Sequence, residues 1–498
     1  MSLLLTQFTG DLGASFEGAF SGAAAPATLP LLLMAAGALL LLLIEVMPVL
    51  RPVRPALVVA TLVGTIWAYA CQLADPAGPV LGGIFHSTEV TALFGIIFAL
   101  GALLAWIYSI GYYGSHLCGL LSEHDMLFLS APAGMMLMVG AGDLLVFFVG
   151  LEILSLPLYA LCAFRRRRHD SVEAGLKYFL LGAFAAAFYL FGASLLFVST
   201  GTLSVVALQV AAAGPLAQTP LFLAGAGLLM AGLFFKVSVF PFHLWTPDVY
   251  EGAPTPVTTL MATGTKAAAF GFMIPLAFIL PTAATGLLAA IALLTMAAGN
   301  FAALVQTSVK RMLAFSGVAH AGTILLVIVA YLASNHDELV MDEGMRAALF
   351  YLGAYLFTST GAFGLLAMLE REGEDKLTLS GLRGLAQRRP AVAAAMTLFM
   401  LSLGGIPATG GFFGKWFVFT VLVNQGMIGV AVLGALMSVV ALGYYLRVIV
   451  VMWMQPLAED QVDTVAPTTL PAAVATALCA FGVIAMGLAP GWFLALLG

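Results

Sequence analysis

What most constrains this chain is a recurrence of apolar stretches of about twenty residues, from residue 30 to the C-terminus, separated only by short polar breaks. A helix of about that length crosses a hydrocarbon core about 30 Å thick, and only helices or closed barrels satisfy their backbones there. About fourteen such stretches can be marked, centred near residues 40, 64, 100, 133, 153, 188, 232, 267, 294, 322, 357, 407, 440 and 484. The expected fold class is an all-α polytopic membrane protein. Charged residues make up 9% of the 498 positions, where a soluble domain carries about 25%. Too little chain is left for a soluble domain on either side. The run at residues 30–50 is too long for a signal core and is not preceded by a Lys/Arg start, so the first segment is expected to be retained.

The 19 basic and 24 acidic residues give a formal charge of -5, with no basic stripe interleaved with aromatics, so no nucleic-acid partner is expected. The four cysteines are scattered and form no C-x-x-C or metal spacing. They read as packing residues. Gly414-Lys415 has Trp416 where a phosphate-binding loop needs Ser or Thr, and no dinucleotide or metalloprotease motif occurs. No cofactor or metal is expected in this chain.

Short loops rich in Lys and Arg stay cytoplasmic, and 13 of the 19 basic residues fall in four loops. These hold Arg51 and Arg54; Arg165 to Arg168; Lys310 and Arg311; and Arg371, Lys376, Arg383, Arg388 and Arg389. All four follow odd-numbered segments. Both termini are therefore expected on the periplasmic side of a bacterial inner membrane.

Lys177, Lys236, Lys266, Lys415 and Arg447 lie inside apolar segments, together with Glu45 and Glu152. A charge at the bilayer centre costs roughly 2.5 to 3.5 kcal/mol on insertion scales, so such residues need pairing, hydration or neutrality. Lysine is the informative choice, because desolvation can bring an amine into the neutral titration range whereas arginine stays charged. Arg447 is within snorkelling reach of a membrane surface. Glu45 lies near the end of its segment, beside Arg51. Asp170 and Glu173 resemble a capping box opening segment 6, which would place Lys177 about 10 Å deep, within partial reach of water. Lys236, Lys266 and Lys415 are mid-segment and read as proton-exchanging groups, with Glu152 as a partner. His320 reads equally as a packing residue or a relay.

Pro241 follows Lys236 by five positions and cannot donate to the Val237 carbonyl, while Pro407, among the glycines before Lys415, frees the carbonyl of Leu403. Backbone opened at membrane depth needs protein or water around it, so each break marks a cavity holding a lysine. The breaks fall in segments 7 and 12, five apart, and an odd-numbered repeat must return inverted. The expected organisation is 1–124 with segments 1 to 3; 125–282 and 283–455 as two inverted five-helix repeats, each with a broken helix; and 456–498 with segment 14.

The run Phe235-Lys236-x-Ser238-x-x-Pro241-Phe242-His243-x-Trp245-x-Pro247-Asp248-Val249-Tyr250-Glu251-Gly252-Ala253-Pro254 resembles the signature of the antiporter-like membrane subunits of respiratory complex I, the proton-translocating NADH:quinone oxidoreductase. Two further motifs agree: Lys310 to Ala314 with Ser316 and His320, and Gly405-Ile406-Pro407 followed by Gly411 to Lys415. The length, the end at segment 14 without a lateral helix, and lysine at 415 are most similar to the N-type. The resemblance implies Glu152 and Lys236 as the charge pair of an input half-channel, Lys177 as an auxiliary modulator, Lys266 as central relay, His320 as its partner and Lys415 as the output site. It also implies a hetero-oligomer with other membrane subunits and lipid, and FMN, iron–sulfur clusters and quinone in partner subunits. The chain departs from the family pattern at Gly317, where a second serine is usual, and at Ala408, where many members have proline. A subunit of a multi-subunit Na⁺/H⁺ antiporter or membrane hydrogenase shares the signature, and a structural membrane scaffold is the remaining alternative.

Overall fold

The computed structural model describes residues 22, 24–116, 122–370, 377–456 and 469–497. Cys118, Arg371 and Lys376 lie outside the described residues. Eleven of the described helices, some counted with adjoining 3-10 turns, are long and apolar enough to cross a membrane by length and composition. They are α1 (Ala24–Val46), α2 (Arg54–Ala74), α3 (Glu89–His116), α5 (Leu144–Cys162), α6 (His169–Thr200), α7 (Pro220–Val237), α11 (Thr285–Leu304), α12 (Val309–Ala333), α13 (Glu338–Leu369), α16 (Ile428–Met454) and α17 (Leu470–Leu488). The three other apolar segments fall on shorter or interrupted helices. These are α4 (Ser122–Val139), with Glu123 and Asp125 in its first turn; α9 (Thr255–Leu260) continuing through a π-helical turn into α10 (Lys266–Met273); and α14 (Pro390–Gly404) with α15 (Gly410–Asn424). A short helix, α8 (Trp245–Gly252), follows α7. Among the described residues the only sheet is a two-stranded hairpin, β1 (Gly78–Val80) with β2 (Phe85–Ser87), between α2 and α3.

Helices 25 and 32 residues long, α12 and α13, form the buried centre: 100% and 89% of their most apolar windows are inside the protein, against 33% for α16. All three are apolar all round, because lipid and protein interior make the same demand. Around the centre, α4 packs on α5, α6 on α7 and α11 on α12. The α11–α12 contact is backbone to backbone: a Cβ on Gly299 would sit 2.6 Å from the Ala319 nitrogen, and one on Gly322 2.8 Å from the Ala292 carbonyl. Small residues let helices approach this closely where no water drives them together.

The peripheral charges settle locally. Arg51 bonds Glu45 at 2.7 Å, as their proximity suggested. Arg447 donates to the carbonyls of Leu304 (2.8 Å) and Gln306 (2.6 Å) at the C-terminal end of α11. The anticipated capping box at segment 6 is not formed: Arg168 is the N-cap, no side chain caps the helix, and Glu173 turns instead to Lys177 at 2.8 Å. An ion pair one helical turn away outcompetes a backbone contact for the same carboxylate.

Candidate functional site

Two of the buried lysines sit at interruptions in the helices. α7 ends at Val237, Ser238 turns left-handed (φ 65°), and the chain re-enters a helix at Trp245, with Pro241 inside the gap. Lys236, in the last turn, donates from Nζ to Ser155 Oγ at 2.8 Å and to the Tyr178 hydroxyl at 3.1 Å. The expected direct ion pair with Glu152 is not formed. Val149, Ile153 and Leu156 around Glu152 are 45%, 39% and 55% exposed, so that carboxylate is half-buried on the outward side of α5, while Ser155 faces the lysine.

α14 ends at Gly404, Gly405 is left-handed (φ 80°), Pro407 lies in the gap, and α15 begins at Gly410. Ala408 also takes a positive φ (68°), so the break is complete without a second proline. Lys415 Nζ donates to the carbonyls of Leu403 (3.0 Å) and Gly404 (3.1 Å). The Leu403 carbonyl is the one Pro407 was expected to free. A cation at the carbonyl end of a half-helix also meets the negative pole of its dipole.

Between these breaks lies Lys266, directly after the π-helical turn Met261–Thr265. Its amine is buried, has no hydrogen-bond partner among the described residues, and stands 5.7 Å from the centre of the Tyr250 ring. It reaches α12 over Gly317, where a Cβ would be 2.5 Å from Nζ and 3.0 Å from the Tyr355 hydroxyl. Gly317, which removes a hydroxyl from the family pattern, thus makes room for the amine. We expect Gly317→Ala to leave the fold intact, since the obstructing atom is the tip of a flexible chain, but to displace the amine. Proton translocation in membrane vesicles then falls about ten- to a hundredfold, and an unchanged rate means that Lys266 need not sit there.

Three residues beyond Gly317, His320 is bonded through both ring nitrogens: Nδ1 to the Tyr351 hydroxyl at 2.6 Å and Nε2 to the Tyr445 hydroxyl at 3.1 Å. Tyr445 is in turn hydrogen-bonded to Ser316 Oγ. A hydroxyl on each ring nitrogen lets the chain Ser316–Tyr445–His320–Tyr351 reverse its hydrogen bonds in either direction.

Lys177 stands apart from this row. Its side chain is 42% exposed and pairs with Glu173 (2.8 Å) and Asp248 (3.0 Å). Partial burial pushes the Asp248 carboxyl up, but hydrogen bonds from Lys177 and Arg311 outweigh it and hold the group below its ordinary value. Sequence reasoning overlooked Ser155, Tyr178, Tyr351, Tyr355 and Tyr445, whose uncharged hydroxyls in apolar runs pass for packing.

The fold and this interior define a class: a multi-pass helical membrane protein in which Lys236, Lys266 and Lys415 are buried along the interior, two of them at helix breaks. The family model described as NADH:quinone oxidoreductase/Mrp antiporter, TM matches residues 141–441, and the chain belongs to that family. It is 40% identical to NADH-quinone oxidoreductase subunit N of Myxococcus xanthus, over 93% of this chain and 94% of that one. Subunit N of Salinibacter ruber is also 40% identical, over 88% of both. Among solved structures, a chain of respiratory complex I from Thermus thermophilus with bound aureothin superposes with a TM-score of 0.79 at 35% identity, covering 94% of this chain and 98% of that one. A chain of the Mrp complex from Dietzia shares the fold alone, with a TM-score of 0.80 at 19% identity over 95% and 96% of the two chains.

Proposed function

We propose that this chain is the N-type membrane-arm subunit of a proton-translocating NADH:quinone oxidoreductase of a bacterial inner membrane, and that Lys236, Lys266, His320 and Lys415 carry the proton. The observation that carries this reading is that, among the described residues, Lys236, Lys266 and Lys415 are buried without a carboxylate at contact distance: two donate to neutral oxygens and one to nothing. An ammonium paired to a buried carboxylate cannot lose its proton without stranding the anion. One held by hydroxyls and carbonyls can.

In this reading a proton enters at Lys236, where the Tyr178 hydroxyl can donate to the neutral amine or accept from the cation, while Ser155 Oγ, whose hydrogen goes to the Leu151 carbonyl (2.5 Å), accepts from it. It passes to Lys266, whose unpartnered amine leaves room for a bridging water, then through the His320 hydroxyl chain to Lys415. Glu152, off to the side of α5, biases Lys236 through space rather than by contact, and Lys177 modulates from the charged rim. Moving one charge across 100 mV requires about 2.3 kcal/mol, which redox chemistry must supply. That chemistry, with FMN, iron–sulfur clusters and quinone, belongs to partner subunits, and this chain serves as a non-redox component of the enzyme. The two five-helix units, 125–282 and 283–455, would be related by inversion, a reading supported by matching pairs: α4 on α5 and α11 on α12, α6 on α7 and α13 on α14 and α15. Both termini would lie on the periplasmic side.

Mass spectrometry of the detergent-solubilised assembly tests the assignment. Flavin and iron–sulfur subunits are expected to co-purify. Recovery with antiporter subunits alone, and Na⁺-dependent transport without NADH-linked activity, would instead select the Mrp-type alternative.

A further inference from the structure

Asp248 and Glu251 belong to the first of the three motifs and Lys310 and Arg311 to the second, yet none contributes to the proposed proton path. The fold clasps the two motifs together. Arg311 Nη1 donates to Asp248 Oδ1 (2.8 Å) and Glu251 Oε2 (3.0 Å), while the other Asp248 oxygen accepts from Lys177 on α6 (3.0 Å). Lys310 donates to the Ala253 carbonyl (2.6 Å) and lies 3.6 Å from Glu370, which also accepts from Thr255 (2.5 Å). These four charges therefore tie α8 and the residues after it to the first turn of α12 or to its neighbours.

A cavity of about 140 Å³ is lined by Glu173, Lys177, Asp248, Glu251 and Arg311. The pairs that Lys177 makes with Glu173 and Asp248 join side chains 35% to 45% exposed, and such pairs stabilise a fold little, so stability is a weak explanation for these charges. Position is a stronger one. Trp245, the first residue of α8, donates to the Phe235 carbonyl (3.1 Å) and stacks on Tyr178 (4.8 Å between centroids), whose hydroxyl accepts from Lys236. Six residues beyond Arg311, α12 presents Gly317, the seat of the Lys266 amine. Packed rigid elements therefore join the surroundings of Lys236, through Asp248 and Arg311, to those of Lys266.

We propose that Asp248 is a positioning residue: holding Lys177 with one oxygen and Arg311 with the other, it fixes α8 against α6 and α12 and so sets the separation across which Lys236 and Lys266 exchange a proton. This rests on the relay reading above. A proposed path needs coupling data, which a double-mutant cycle in the intact membrane complex supplies. Asp248→Asn and Arg311→Gln are each expected to slow proton translocation about tenfold and to lower the protons moved per NADH oxidised, the double variant being no worse than either single one. Asp248→Glu regains most of the loss. Additive losses, or a wild-type proton-to-NADH ratio in whatever complex assembles, overturn the proposal. Should Asp248→Asn prevent assembly, Arg311→Gln alone decides: it removes the one nitrogen that reaches both carboxylates while leaving Asp248 on Lys177, so a lowered ratio supports the proposal and a wild-type ratio overturns it. Lys236→Met separates the two ideas. Its wild-type ratio would reject the relay itself, whereas loss there with a normal Asp248→Asn rejects only the positioning role.

Discussion

Lys266→Met is expected to abolish proton-coupled turnover while leaving the assembled complex as stable as the wild type or more so. Among the described residues the buried Lys266 amine has no hydrogen-bond partner and no carboxylate at contact distance, so removing it strands nothing there. A charge at that depth carries an insertion penalty of roughly 2.5 to 3.5 kcal/mol, which methionine of similar length avoids. Losing a positioned acid–base group slows a proton-transfer step by about 10² to 10⁴. Thermal unfolding of the solubilised complex and proton uptake by inverted vesicles are to be measured on the same preparation. Unaltered uptake would show that protons bypass this amine. A marked fall in stability would show instead that the lysine is a strut, favouring the scaffold alternative.

Much of this architecture was legible because the bilayer leaves a chain few options. Apolar runs of helical length had to become helices, and Pro407 had to free a carbonyl, which the structure finds bonded to Lys415. Charge was equally visible, since a lysine in an apolar run is conspicuous. What sequence could not supply was rotation about a helix axis. Opposite charges at positions 152 and 236 suggest contact, yet the turn of α5 faces Ser155 inward and leaves Glu152 at its outer edge. The hydroxyls around His320 were hidden for a different reason: tyrosine in an apolar segment has the same appearance whether it packs or bonds. Nor did periodicity indicate that Asp248 meets Arg311, 63 residues away, because that contact depends on how α8 and α12 pack.

Position 415 separates titration from hydrogen bonding more sharply than the charge pattern alone suggested. If only titration mattered at this position, glutamate would be tolerated there better than alanine. The structure reverses that expectation, because the Lys415 amine donates to the carbonyls of Leu403 and Gly404 at the end of α14. A carboxylate in that place would face two carbonyl oxygens, and only its protonated form could donate to one of them. Lys415→Glu is therefore expected to assemble less well than Lys415→Ala, which leaves two carbonyls short of a donor at about 1 to 3 kcal/mol each when no water replaces it. Lys415→Arg provides the contrast: its guanidinium keeps donating to both carbonyls but cannot release a proton. Arginine should restore assembly while proton translocation stays near zero, whereas alanine loses both. If arginine pumps at the wild-type rate, Lys415 only closes a helix end and the output step lies elsewhere; if arginine also fails to assemble, carbonyl bonding is not what the lysine contributes to the fold.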